Sequence, residues 1–205
     1  MTYADLTGEV IANLEIDSSD LDRFKVLDSL NAAQLTILNV MPAEHLINAI
    51  TTATFNLVAN QAAYQWPSDF FRVVSIWLDF STSIDVDNRG VEAVKWKQEL
   101  FWQTIDTIAS SRFPFYDPHV EGGFEIRPKP TANVTDGGRL RYVWRIPDIS
   151  ASQDSLLDDK FKNLLVFRAT SLSALVEAYN RELAGDYAKL YQEELSRFMP
   201  KEERK

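Results

Sequence analysis

Chemistry needs reactive side chains at workable spacings, and this sequence offers few. Its histidines are His45 and His119. Neither has a second histidine four residues along, so the helical spacing of a zinc protease is missing. Nothing local sets up a Ser-His-Asp relay either. No cysteine occurs, which excludes disulfides, thiolate metal sites and a cysteine nucleophile. Asp85-Val86-Asp87-Asn88-Arg89-Gly90 places acids at alternate positions before a glycine, as a calcium loop does. Arg89, however, stands where an oxygen ligand belongs, and Trp96 where the bidentate glutamate belongs. The segment reads as a solvated turn. Gly122-Gly123 and Gly137-Gly138 open no helix and read as turns, not as phosphate cradles. The sequence therefore assigns no catalytic, cofactor or metal residue, and no enzyme is expected.

Binding chemistry is better represented. Arg139, Arg141 and Arg145 fall on one face of a strand, with Leu140, Tyr142, Trp144 and Ile146 on the other. A basic face with aromatics is one signature of nucleic-acid binding. Here the aromatics of the strand point away from the arginines, so the interleaving that stacks bases is missing. A solvated or subunit-contacting face is the expectation. Arg168 sits on an apolar helical stripe, between Leu164 and Leu172, and must be paired inside the chain or across an interface. Five Trp, seven Tyr and twelve Phe exceed what catalysis would ask for. They supply anchors for association, among them Trp77, Trp96, Trp102 and Trp144, or else most of them are simply core.

The elements that hold these residues follow from periodicity. Leu6, Val10 and Leu14 predict a first helix, and Leu21, Phe24, Leu27, Leu30, Leu35 and Leu38 a second, capped near Ser18-Ser19-Asp20. Period two then takes over in Thr52–Ala59 and in Val74, Ile76, Leu78 and Phe80. Val91–Trp96 reads as a strand, Lys97–Ser110 as a helix and Phe113–Pro118 as a loop that packs down. Phe124–Arg127 and Leu140–Ile146 read as a hairpin, with Asp136-Gly137-Gly138 in its turn. From Leu157 to Phe198 the spacing is helical again. The expected fold is α+β and mainly helical. Residues 1–50 and 150–198 form one helical bundle, 51–149 a small inserted β domain, and 199–205 a charged tail.

Charge adds a constraint. The net charge over 205 residues is −9. Residues 1–50 hold eight acids against two bases, so most of the imbalance is N-terminal. Such a chain repels nucleic acid at long range, because duplex binding depends on neutralising phosphates. Met1–Leu14 has acids where a secretion signal has bases, and the longest apolar candidate, Leu164–Val176, is too short to span a bilayer. No membrane contact is expected, and the product is expected to be made in the cytoplasm.

Four blocks of sequence carry a resemblance. They are Tyr64-Gln65-Trp66-Pro67-Ser68-Asp69-Phe70-Phe71-Arg72-Val73, then Phe124-Glu125-Ile126-Arg127-Pro128-Lys129-Pro130, then Leu140-Arg141-Tyr142-Val143-Trp144-Arg145-Ile146-Pro147, and the helical pair Leu157–Phe198 with Ala184-Gly185-Asp186-Tyr187-Ala188-Lys189-Leu190-Tyr191. In this order the chain resembles the phage head-to-tail connector, or adaptor, family: the gateway and tail-tubular A type proteins. The resemblance implies a structural virion protein in the neck between capsid and tail. It implies a ring of about twelve copies that binds the portal, carries the tail nozzle or other tail proteins, and lets DNA pass without specific binding. It also implies that the C-terminal segment, here Phe198, Met199, Pro200, Lys201, Arg204 and Lys205, reaches into the portal. Subunit-interface candidates are then Trp77, Trp96, Trp102, Arg139, Arg141, Arg145 and Arg168. The alternatives are another neck or tail-completion protein, or a nucleic-acid-binding module.

Overall fold

A computed structural model describes residues 1–81, 90–96, 108–118, 122–176 and 179–199. The chain divides into two compact units, Met1–Ala49 with Ile146–Lys205, and Ile50–Arg145.

The first unit is built on helices. Helix α1 (Tyr3–Leu14) starts where the Thr2 hydroxyl accepts from the Asp5 N–H, and it ends at Glu15 in a left-handed turn. Its Leu6, Val10 and Leu14 are fully buried. Helix α2 (Val26–Val40) buries Leu30, Ala33, Ile37 and Leu38. It begins later than the leucine spacing predicts, because Ser18–Asp20 form a separate 3-10 turn and Lys25 sits in a left-handed conformation. Helices α3 (Lys162–Ala174) and α4 (Arg181–Ser196) complete the unit, and α3 packs against α1, α2 and α4. It can do so because its Ala169, Thr170, Ser171, Ser173 and Ala174 are buried as well as its leucines. Small side chains let neighbouring backbones approach, and Ser171 donates to the Ala184 carbonyl of α4 at 2.9 Å. The leucine stripe alone misplaces this helix, since Leu175 is left half exposed.

Between the helices, the stretch after the second unit is fastened to α2 by side-chain amides. Asn31 donates to the Ile149 carbonyl (3.2 Å) and accepts from the Ile149 N–H (2.7 Å). Gln34, fully buried, donates to the Pro147 carbonyl and accepts from Ser155. These bonds satisfy an irregular segment that has no ladder of its own.

The second unit holds two four-stranded sheets. With β1 (Ile50–Leu57), β2 (Ala63–Gln65), β3 (Phe70–Leu78), β4 (Val91–Glu92), β5 (Val94–Lys95), β6 (Phe115–Asp117), β7 (Gly123–Arg127) and β8 (Val134–Trp144), the orders are β1-β8-β3-β4 and β2-β7-β6-β5. All pairings are antiparallel except β5 with β6. Side chains from both sheets, including Leu57, Ile76, Leu78, Leu140 and Tyr142 from one and Tyr64, Tyr116, Phe124 and Ile126 from the other, share one core. Each fully buried large apolar side chain there stabilises the fold by roughly 1.5–3 kcal/mol.

The expected mainly helical fold with a small β domain is therefore corrected. The chain is α+β, and among the described residues it has four α-helices and two four-stranded sheets. The strands were underestimated for physical reasons. Strands β4 and β5 have two residues each, too few to show a period. Phe115–Asp117 is a strand despite its flanking prolines. The glycines Gly137 and Gly138 lie inside the long strand β8, not in a turn. Gly138 is glycine because a Cβ there would fall within the Phe55 ring. Consequently β7 and β8 are not a hairpin; they belong to different sheets.

Candidate functional site

Three of the blocks that carry the resemblance meet in the second unit. Trp66 stacks on Phe70, with centroids 4.1 Å apart and planes 7° from parallel, and on Phe124 at 4.4 Å. Phe124 in turn meets Phe55 and Tyr64. The Trp66 N–H donates to the Gly122 carbonyl. Asp69 ties the first block to the third: its carboxylate accepts from the Tyr142 hydroxyl at 2.8 Å, and its carbonyl from the Arg145 N–H at 2.6 Å. Burial, then the bond to Asp69, pushes the Tyr142 hydroxyl up to about 12. The Trp-Pro-Ser-Asp-Phe sequence is thus an aromatic clamp with one polar rivet, and its role is to hold the sheets.

The clamp positions an outward face. On the first sheet, the register sets Thr54, Arg139, Trp77 and Glu92 in one row across β1, β8, β3 and β4. Thr52, Arg141 and Ser75 form the next. Residues directly opposite one another share a face. Arg139, Arg141, Thr52 and Thr54 are exposed, and Trp77 is half-buried. Thr52, Trp77, Arg139 and Arg141 line a recess, and the Trp77 indole N–H donates to Ser75 Oγ at 3.3 Å. None of the ion pairs among the described residues uses Arg139 or Arg141. The arginines were expected to stand apart from aromatics. Tyr142 does turn inward, but Trp77 reaches the arginine face from the neighbouring strand. Sequence period alone could not show this, since it depends on the register of β3 against β8. That register contains a bulge at Val73/Ser75, so Val73 and Ile76, not Val74 and Ile76, face the core.

The remaining candidates are scattered. Arg145 follows the end of β8 and is exposed. Trp96 is buried, edge-on to Phe115 at 5.5 Å. Arg168 in α3 lies 5.7 Å from the centre of the Tyr191 ring of α4, and its Nε has no hydrogen-bond partner among the described residues. Burial raises the Tyr191 hydroxyl above its ordinary range, and Arg168 opposes that rise. Phe198 is not loose. Its carbonyl lies 3.1 Å from His45 Nε2, its ring meets His45 edge-on at 5.5 Å, and Phe161 packs at 5.3 Å. Met199 is half-buried. Trp102, His119, the Asp85–Arg89 loop, Pro200, Lys201, Arg204 and Lys205 lie outside the described residues, as does most of the helix expected over Lys97–Ser110.

Among the described residues no three His, Asp or Glu side chains are grouped as a metal ion would need. Nor is any helix among them long and apolar enough to cross a membrane.

Comparison with curated proteins finds no match to this chain. The family model of the SU10 adaptor protein matches residues 1–205. That match covers the whole chain, including the clamp, the arginine-bearing sheet and the helical unit, and the chain belongs to the SU10 adaptor protein family, a phage adaptor-type family.

Proposed function

We propose that the chain is a structural virion protein, the head-to-tail adaptor that binds the portal and forms the platform for the tail. In this reading about twelve copies close into a ring through head-to-tail contacts. DNA passes through the ring without specific binding, and the protein does no catalysis. The observation that carries the reading is the match of the whole chain to the adaptor family.

Geometry supports it in two ways. Arg139 and Arg141, in no ion pair among the described residues, and half-buried Trp77 have the composition of an association surface, since Trp and Arg are enriched where interfaces hold most of their energy. Phe198, clamped by His45 and Phe161, gives the segment that follows it a fixed point of departure. That segment, Met199–Lys205, is the proposed portal-binding tail.

The reading is tested in phage particles that lack this protein. They should accumulate as DNA-filled heads and free tails, and purified protein added to the extract should join them. Tailed, infectious particles in its absence would refute the role. A second reading has one observation in its favour, the Trp77 ring among the arginines. It assigns the face to nucleic acid and predicts retention of duplex DNA that falls steeply with salt.

A further inference from the structure

None of the ion pairs among the described residues uses Arg139 or Arg141, and the acid in their cross-strand rows is Glu92, at the end of the Arg139 row. The same chain carries the opposite feature elsewhere. Between α1 and α2, Glu15, Asp17, Asp20 and Asp22 occur within eight residues that contain no base, before Arg23 and Lys25. Glu15, Asp17 and Asp22 are exposed and Asp20 half-exposed. None of these four is in an ion pair among the described residues.

We propose that the arginine face of one copy docks on the Glu15–Asp22 segment of the next copy. This rests on the adaptor-ring reading and names the contact that closes the ring. The occupant follows from charge. Two arginine faces would repel one another, and so would two acidic segments. A two-fold pairing through either surface is therefore disfavoured, while arginine against acid is attractive. Such a contact uses two different surfaces of each copy, which is the heterologous kind that generates rings. Trp77 supplies an apolar anchor beside the charges, and Thr52 and Thr54 supply hydroxyls at its edge. Duplex DNA fits less well, because Glu92 sits in the same row and the chain is net negative.

Charge exchange tests the contact with the full chain. One variant carries Arg139→Glu and Arg141→Glu; the other carries Asp17→Lys and Asp22→Lys. All four positions are exposed, so circular dichroism and melting should match the wild type. Assembly is read by mass photometry, free and on purified portal rings, over a range of protein concentration. Each variant alone should associate at least about tenfold more weakly, and an equal mixture of the two should associate more tightly than either variant alone. Where the two variants alternate, the native arginine face meets a native acidic segment at one junction, and at the next the reversed face meets the segment in which lysine replaces two of the four acids. Wild-type assembly should also weaken with added salt, since exposed charges are screened beyond about 8–10 Å near physiological ionic strength.

Variants that assemble as well as the wild type would overturn the contact and leave the adaptor reading standing. So would a mixture that associates no more tightly than either variant alone. Loss of binding to a short DNA duplex on arginine reversal, with assembly unchanged, would assign the face to nucleic acid instead. A wild type that joins neither portal rings nor itself would remove the adaptor reading and this contact with it.

Discussion

Asp69 shows how a single residue fastens the start of β3 to the end of β8. It receives the Tyr142 hydroxyl on its carboxylate and the Arg145 N–H on its carbonyl. Removing the hydroxyl as Tyr142→Phe should cost about 1 kcal/mol in urea unfolding, a typical net value for one hydrogen bond. The cost should depend on pH in a set direction. Folding raises the Tyr142 pKa from 10.0 to about 12, so the folded state holds the proton more tightly. The stabilisation is complete below pH 10 and is lost as pH rises towards 12. The gap between wild type and Tyr142→Phe should close across that window, and a constant gap would contradict the assignment. Gly138 makes a second residue-scale case. Gly138→Ala should destabilise by about 1–3 kcal/mol, because the added Cβ meets the Phe55 ring. Pairing it with Phe55→Leu should recover part of the loss, and additive costs in that double-mutant cycle would show that the two sites are independent.

At the scale of elements, the sequence showed most where one face is apolar and the other is not. Leu6, Val10 and Leu14 identify α1, and Ile76 and Leu78 identify the end of β3, because each pattern repeats its own period. It showed least where burial is all round or the element is short. Helix α3 hides Ser171 and Ser173 in the core, and a leucine stripe does not report them. The arginine face was legible as alternation along β8, but its Trp77 was not. Trp77 joins it only through cross-strand register, which pairs residues far apart in sequence. The C-terminal element carries a prediction of its own. Phe198→Ala should destabilise the helical unit by about 1–2 kcal/mol, through lost apolar contact with Phe161 and His45. Deleting Met199–Lys205 should leave the unfolding midpoint nearly unchanged and abolish portal attachment. Full attachment by the truncated chain would remove the tail from the mechanism.

The whole molecule combines a helical unit, whose N-terminal part carries most of the net negative charge, with a two-sheet unit bearing an arginine face. Acidic and basic features thus belong to different units, and an aromatic clamp fixes the sheet that presents the arginines. The most direct measurement is the mass of purified portal rings before and after mixing with the full chain. A gain of about one copy per portal subunit is the predicted result. A portal mass that stays unchanged at saturating protein would contradict the adaptor assignment and direct attention to tail components as the partner.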